Sequence, residues 1–247
     1  MLDALPTDPA THTDRAYMVL RDEILHGDLM PGERLSAAAL QERFALGLTP
    51  IREALMRLSS EGLVEAETHR GARVSLASAA AFADLMATRR NIERLCLLRA
   101  MQLGDATWEA EIVAALHLLT RARLPGSDQD RATAAAWEVL HRRFHAALVA
   151  ACGSGWLLRF WNMLADHSAR YRKIRLLHHR EVQAEVRDIA AEHDAIARAV
   201  LARDKRAPAL MDAHLQATER SVARFLTDND NIVTRGAPAR RRRKGDA

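Results

Sequence analysis

Apolar residues near the start of the chain recur at the spacing of an α-helix. Ala37, Leu40 and Phe44 follow one another at three- and four-residue intervals, so they would line one face of a helix. The Pro-Gly pair at 31–32 is a turn signal, and Ser36 is a residue type that caps helix N-termini. The pattern therefore predicts a turn followed by a short amphipathic helix.

A second helix is predicted after a break at 45–48. Thr49 would cap it, with Pro50 at the first helical position and Glu53 close to the capping-box position. Its apolar face would be formed by Ile51, Ala54, Leu55 and Leu58. Arg52 lies off this face, as expected of a helix that enters the major groove of DNA.

Two short alternating stretches follow this helix and predict a β-hairpin. Residues 63–65 and 72–74 alternate like strands, and His69-Arg70-Gly71 lies between them. Turn, helix, helix and hairpin follow one another as in a winged helix-turn-helix, which predicts double-stranded DNA as a partner. The basic hairpin tip would reach phosphates or a minor groove.

The rest of the chain, from about residue 77, shows helical periodicity throughout. The candidate helices are Ala79 to Leu103, Trp108 to Arg123, Asp130 to Ala151, Gly155 to Leu177, Glu181 to Arg203 and Arg206 to Thr227. Six helices around one core predict an antiparallel all-α bundle. The expected fold is thus mainly α, with an N-terminal winged helix-turn-helix and a C-terminal helical bundle.

The first helix of the predicted bundle combines an apolar stripe with a charged pair. The stripe would be formed by Leu85, Ile92, Leu95 and Leu98. Arg89 and Glu93 lie one turn apart, so they either pair along the surface or point into the bundle. A surface pair of this kind is worth only about 0.2–0.5 kcal/mol.

Four histidines of the predicted bundle are candidate metal ligands. His141 and His145 lie four apart and share a helix face, while His193 and His214 lie on later helices whose apolar neighbours would turn them toward the core. Such a pocket would suit zinc, nickel, copper, cobalt or iron, because neutral imidazole is a common ligand of these metals. The alternatives are a solvated histidine pair or a water-filled pocket without an ion.

Composition supports a two-domain globular protein. A chain of 247 residues is long enough for two cores, and 49% hydrophobic with 28% charged residues indicates a folded chain. Aromatic residues make up only 4%, which favours a mostly helical fold. No stretch approaches the about 20 apolar residues of a membrane span, and no secretory signal is visible, so we expect a cytoplasmic protein.

The predicted organisation has four parts. They are a disordered arm at 1–12, a DNA-binding domain at 13–76, a helical effector-binding and dimerisation domain at 77–228, and a basic disordered tail at 229–247. The basic run at 240–244 is either a solvated tail or a source of nonspecific phosphate contacts. Cys96 and Cys152 lie in apolar helical stretches, which favours buried free thiols over a disulfide or redox pair.

The N-terminal motifs resemble a known family. PGERL, LTPIREAL, SSEGLVE and RGARV look like the DNA-binding domain of GntR-type bacterial transcription regulators, over Arg15 to Ser75. The resemblance implies DNA contact by Arg34, Thr49, Arg52, Arg70, Gly71 and Arg73. The chain departs from the family where Ala38 and Leu48 replace arginines that usually touch DNA. Losing an arginine that reads guanine removes about 1–3 kcal/mol of discrimination, so we expect weaker or redirected recognition.

The later motifs resemble the helical effector domain of the FadR subfamily, known as the FCD domain. HRRFHAALVAACG, EHDAIARAVLARD and ALMDAHL look like this domain, over Ala79 to Phe225. The family often holds a metal with an Asp and three His. The resemblance maps the three histidines onto His145, His193 and His214 and places His141 where the Asp usually stands. Four neutral ligands favour a divalent transition metal, zinc or nickel, over magnesium or calcium.

Together these features predict a ligand-controlled regulator. Arg89 matches an arginine-glutamate motif of the family, and a guanidinium suits bidentate binding of a carboxylate effector. If Arg89 instead pairs with Glu93 in the core, its role is packing. We expect a homodimeric repressor that binds an inverted-repeat operator and responds to a small organic acid, with residues 76–81 as the hinge. The alternatives are a metal sensor and a metal-dependent enzyme.

Overall fold

The helical prediction is confirmed in the described part of the chain. The computed structural model describes residues 11–67, 71–123, 131–178 and 187–228. Within these ranges nine helices and one three-stranded sheet form two compact units that divide between Ala77 and Ser78. No helix in these ranges is both long enough and apolar enough to span a membrane.

The first unit is a winged helix-turn-helix. Its elements are α1 (His12–His26), β1 (Arg34–Leu35), α2 (Ala37–Phe44), α3 (Leu48–Ser60), β2 (Val64–Glu67) and β3 (Gly71–Val74). The sheet is antiparallel with β3 in the centre, between β1 and β2. The predicted cap of α2 is confirmed, because the Ser36 hydroxyl accepts a hydrogen bond from the Ala39 amide at 3.5 Å.

Helix α1 begins inside the segment predicted to be a disordered arm. Thr11 and Asp14 form a capping box at its start, in which the Thr11 hydroxyl accepts from the Asp14 amide at 3.0 Å. Residues 11 and 12 are therefore ordered by the helix that they open, whereas residues 1–10 of the arm lie outside the described residues. The helix ends at His26 and is capped by Gly27, whose φ of 77° suits a residue without a Cβ.

The predicted start of the second motif helix is wrong by two residues. Helix α3 begins at Leu48, with Gly47 at the cap and no capping side chain, so Thr49 and Pro50 lie inside its first turn. Proline fits there because first-turn amides have no partner within the helix. Glu53 does not close a capping box; it accepts a hydrogen bond from the Thr13 hydroxyl of α1.

The core of this unit lies between α1, α3 and the sheet. The predicted apolar face of α3 is confirmed, since Ile51, Ala54, Leu55 and Leu58 are all buried. They pack with Leu20 and Ile24 of α1 and with residues of the strands. The opposite face of α3 stays exposed, with Arg52 and Thr49 on it.

The second unit is an all-α bundle. Its helices are α4 (Ala79–Leu103), α5 (Ala106–Arg121), α6 (Arg131–Val149), α7 (Gly155–His178), α8 (Ile189–Leu201) and α9 (Ala207–Asp228). Helix α4 has the predicted bounds and packs against α7 and α9. Helix α8 is shorter than predicted, because Asp188 caps its start; residues 181–186 lie outside the described residues.

The predicted apolar stripe of α4 is wrong. Leu95 and Leu98 are exposed, and Leu85 and Ile92 are half-buried. The buried stripe comprises Phe82, Met86, Arg89, Glu93, Cys96, Leu97 and Ala100. Arg89 and Glu93 therefore lie on the inner face of α4, and the buried stripe is rotated away from Leu95 and Leu98. Cys96 and Cys152 are both buried free thiols, as predicted.

Candidate functional site

Four histidines from three helices of the second unit meet in its interior. They are His141 and His145 on α6, His193 on α8 and His214 on α9. One ligand nitrogen from each lies within 4.8 Å of the others, and all four residues are buried. The structure thus brings together all four predicted ligands and excludes the solvated histidine pair.

Burial keeps these imidazoles neutral. Desolvation is the main cause that lowers the pKa of every histidine in the cluster. It holds the pKa of His141 and His145 well below 6.5 and brings that of His193 to about 3. Nearby positive charge, including Arg172 and Arg89, acts in the same direction on His141. Neutral imidazole is the form that binds metals.

The cluster fits a metal ion better than a closed hydrogen-bond network. Within the described part of the chain, Nδ1 of His141, both ring nitrogens of His145 and Nε2 of His193 are buried without a hydrogen-bond partner. Buried polar atoms are normally paired, so four such nitrogens in one place indicate a missing partner. Nitrogen donors of this type suit zinc, nickel and related divalent metals, which accept four ligands.

Arg89 and Glu93 form a buried pair beside the cluster. Their Nε and Oε2 atoms are 3.4 Å apart, and the side chains are 2% and 0% exposed, which excludes the surface pair considered from the sequence. Arg89 also donates to the Ser168 hydroxyl, and the Trp161 indole donates to Glu93 at 2.7 Å. Burial lowers the pKa of Arg89 to about 10 and raises that of Glu93.

A second buried pair joins α6 to α7. Arg172 donates to both carboxylate oxygens of Glu138, and Glu138 Oε1 lies 3.9 Å from His141 Nδ1. Sequence reasoning missed both residues. Glu138 precedes His141 by three positions, which places it on the same helix face, but Arg172 is too distant in sequence to give a local signal.

A third pair links the start of α8 to α9. Glu192 Oε2 lies 2.7 Å from His214 Nδ1, and Arg187 donates to both oxygens of the same carboxylate. Burial by itself raises the pKa of Glu192, but hydrogen bonds from His214 and Arg187 outweigh it and lower the pKa to about 2. The only sequence signal for Glu192 is its position next to His193.

The recognition-helix residues predicted to contact DNA lie on the surface of the first unit. Thr49 and Arg52 are exposed on α3, next to Leu48 at the helix start. Ala38 is exposed on α2, so the arginine that the family usually has there would also have been a surface residue. The outer faces of both motif helices are thus accessible in this unit.

Two arginines of the three-stranded sheet that are predicted to contact DNA, Arg34 and Arg73, both lie close to Glu67. Arg34 is 60% exposed on β1, with its Nε 3.6 Å from Glu67. Arg73 donates from Nε to Glu67 at 2.6 Å and from Nη1 to the Gly32 carbonyl at 2.6 Å. Gly71 has a φ of 91°, and a Cβ there would lie 3.1 Å from the Leu35 carbonyl oxygen. Arg70 lies outside the described residues.

Comparisons with known proteins agree with both units. The family described as bacterial regulatory proteins, gntR family, matches residues 12–74, and the FCD domain matches residues 84–217. The chain is 37% identical over 200 residues to the HTH-type transcriptional repressor GlaR of Escherichia coli (strain K12), covering 81% of this chain and 90% of GlaR. It is 32% identical over 213 residues to the uncharacterized HTH-type transcriptional regulator BphR of Paraburkholderia xenovorans (strain LB400), covering 86% and 85%.

Solved structures share the fold. Escherichia coli McbR/YncC superposes with a TM-score of 0.72 at 19% identity, covering 88% of this chain and 99% of that one. A putative transcriptional regulator GntR from Rhodococcus sp. RHA1 gives 0.66 at 21% identity, covering 85% and 96%. FCD domains often bind metal, and the helix-turn-helix implies DNA binding. The curated relatives GlaR and BphR are named as transcription regulators rather than enzymes, which favours the regulator over the enzyme alternative. The chain belongs to the GntR family of bacterial regulatory proteins and joins its DNA-binding domain to an FCD domain.

Proposed function

We propose that this regulator is a homodimeric repressor of the FadR subfamily, with operator affinity controlled by a small organic acid bound at a metal–histidine pocket. The observation that supports this most strongly is the cluster of four buried, neutral histidines in the domain that follows the DNA-binding unit. Repression is in line with the relative GlaR, which is named a transcriptional repressor.

The proposed cofactor is a divalent transition metal, zinc or nickel. His141, His145, His193 and His214 would be its ligands. Neutral imidazoles bring no negative charge to the ion, so the metal would keep its full positive charge within the pocket. Such a centre attracts anions, which makes a carboxylate the natural effector group.

Arg89 is the proposed protein partner of that carboxylate. It is buried beside the histidines, close enough that its charge adds to burial in lowering the pKa of His145 and His214. Its present partners are Glu93 and Ser168, so an effector carboxylate would compete with Glu93 for the guanidinium. Competition of this kind would link acid binding to a rearrangement between α4 and α7, where Ser168 lies.

Exposed apolar residues on α4 and α7 support a homodimer. Leu95 on α4 and Trp156, Phe160 and Met163 on α7 are large and exposed. The turn before α7 lies against α4, since Arg99 donates to the Cys152 carbonyl at 2.7 Å. Trp156, Phe160 and Met163 recur at four- and three-residue spacing, so they share one face of α7, and exposed apolar side chains on one face favour burial against a second copy. A dimer would present two α3 helices to the two halves of an inverted-repeat operator.

The DNA contacts proposed for each half-site follow the family positions. Thr49 and Arg52 on the exposed face of α3 would reach base edges and phosphates, and Arg34 would add a phosphate contact. Gly71 and Arg73 belong to the hairpin, and Arg70 would extend it. Arg73 has two intramolecular partners, so it would support the shape of the hairpin as well as face DNA.

A mobility-shift assay with operator DNA and a panel of small organic acids tests the proposed function. The DNA would be the region upstream of the regulator's own gene and its divergent neighbour, with excess competitor DNA. We expect a specific shift that one acid weakens, and we expect that effect only with zinc- or nickel-loaded protein, because the metal completes the acid site. Full operator binding in the presence of every acid and metal would contradict effector control.

One observation favours a metal sensor as the second candidate. All four positions of a tetrahedral centre would be filled by histidines, which leaves no open position for an acid unless the metal accepts a fifth ligand. In that case the ion itself would be the signal. The same assay separates the candidates, since a sensor changes its operator affinity when metal alone is added.

A further inference from the structure

Three glutamates around the histidine cluster share one arrangement. Each carboxylate lies between an arginine and a cluster histidine: Arg89–Glu93–His145, Arg172–Glu138–His141 and Arg187–Glu192–His214. In the first two the carboxylate is 3.8 and 3.9 Å from the imidazole Nδ1, beyond hydrogen-bond distance. Only Glu192 is within reach of its histidine, at 2.7 Å.

The contact between Glu192 and His214 defines which nitrogen of that imidazole is protonated. A carboxylate oxygen only accepts, so a separation of 2.7 Å requires a proton on Nδ1. Arg187 Nη2 also lies 3.1 Å from this nitrogen, but it donates to Glu192 Oε2 and to the His214 carbonyl. Both of its N–H groups are thereby used. The lone pair of His214 is then on Nε2, which leaves that nitrogen as the metal ligand.

Glu192 is itself held in place. Arg187 binds its two oxygens at 2.6 and 2.5 Å and donates to the Thr218 hydroxyl at 3.1 Å, one turn after His214 on α9. These contacts join Arg187, the residue before the cap of α8, to α9, the helix that supplies His214. The carboxylate therefore has a defined position relative to the imidazole.

We propose that Glu192 is a positioning residue of the metal centre, which orients His214 through Nδ1 and makes Nε2 a stronger donor. This inference rests on the proposed metal site. A carboxylate behind a ligating imidazole fixes its tautomer and raises its basicity. Here it also brings negative charge close to a centre whose four ligands are neutral, in a chain that has His141 where the family usually has an Asp.

Zinc affinity of full-length variants tests the proposal. Competition with a chromophoric chelator would be measured for the wild type, Glu192→Gln and Glu192→Ala. We expect zinc binding weaker by about tenfold to a hundredfold, as for other outer-shell partners of metal ligands. Glu192→Gln keeps the size of the side chain and so preserves the fold. The matched control is Asp194→Asn on the same helix, because Asp194 pairs with Arg198 on an exposed face and should leave zinc affinity unchanged.

A second measurement reports on the tautomer directly. Nitrogen NMR of the metal-free protein should show His214 protonated at Nδ1 in the wild type, and that preference should be lost in Glu192→Ala. Wild-type zinc affinity in both Glu192 variants, or an Nε2-protonated His214 in the wild type, would overturn this inference while leaving the metal site intact. Failure of the wild type to bind zinc would overturn the metal site and this inference together.

Discussion

Burial is the property of single residues that decides the chemistry of the histidine cluster. Imidazoles in water titrate near neutral pH, whereas desolvation keeps these four neutral. The same burial leaves several of their nitrogens without partners in the described part of the chain. A site of neutral imidazoles, several of whose nitrogens lack a partner, suits a cation, and its metal-free form should be sensitive to acid.

Acid should therefore destabilise the metal-free protein. The folded-state pKa of each cluster histidine is below its unfolded value near 6.5, and that of His193 is about 3. Below pH 6.5 the unfolded chain takes up protons that the folded chain does not. The stabilisation is thus present above that pH and is lost as pH falls toward about 3, by up to about 1.4 kcal/mol per pH unit for each histidine.

Urea unfolding of chelator-treated protein at about pH 7.5, 6 and 5 measures this loss. We expect the free energy of unfolding to fall steeply below pH 6.5. Zinc-loaded protein is the control, and its stability should change less over the upper part of this range because bound metal keeps the imidazoles deprotonated. Equal stability of the metal-free protein at all three values would contradict the neutral, buried cluster.

On the DNA-binding side, Arg52 is the single residue whose loss should matter most. It is exposed on the face of α3 opposite the buried residues. Arg52→Ala should weaken specific operator binding by about 1–3 kcal/mol if the guanidinium reads a guanine, and should leave metal content unchanged. Quantitative mobility shift measures the effect, with Arg94→Ala, at an exposed arginine of α4, as the control. Unaltered operator affinity would mean that the recognition surface lies elsewhere.

At the level of elements, periodicity predicted well wherever the buried face is apolar. Helix α2 and the apolar face of α3 follow their patterns, because every inward position there is hydrophobic. In α4 the same reasoning failed, since Arg89 and Glu93 point inward and Leu95 and Leu98 point outward. A charged residue on a buried face is rare and depends on partners from other helices, which the local sequence does not contain.

Contacts between residues far apart in the sequence also limited the prediction. This applies to the strands and to the charged residues behind the histidines. Strand β1 has two residues and is recognisable only by its pairing with β3, where Leu35 faces Ala72. Arg172 reaches Glu138 from a different helix in the same way. The four histidines were predictable from spacing and family resemblance, whereas the positions of Glu138 and Glu192 behind them required the three-dimensional arrangement.

The cap of α8 offers a test at this scale. Asp188 lies five residues before His193, and its Oδ1 accepts a hydrogen bond from the Ala191 amide at 2.9 Å. Asp188→Ala should lower the free energy of unfolding by about 0.5–2 kcal/mol, because the cap satisfies an otherwise unpaired amide. Denaturant titration measures it, with Asp194→Ala on the exposed side of the same helix as the comparison. An unchanged denaturation midpoint for Asp188→Ala would indicate that α8 begins at another residue.

For the whole molecule, regulation requires communication between two units. The chain has a DNA-binding unit and a helical unit that divide between Ala77 and Ser78, inside the predicted hinge at residues 76–81. An effector shifts operator affinity only by the difference between its affinities for the DNA-bound and DNA-free states. The buried pairs of the helical unit, with Arg89 foremost, are the groups that an acid would rearrange.

Operator affinity of the wild type and of His193→Ala, each with zinc and the responding acid, is the measurement that addresses the central claim most directly. His193 is buried in the cluster, and its loss removes one ligand without touching the DNA-binding unit. His117→Ala, an exposed histidine of α5, is the matched control. We predict that His193→Ala still binds the operator as a folded dimer but loses both its zinc and its response to the acid. A variant that keeps full zinc occupancy and the full acid response would contradict effector control through the histidine pocket.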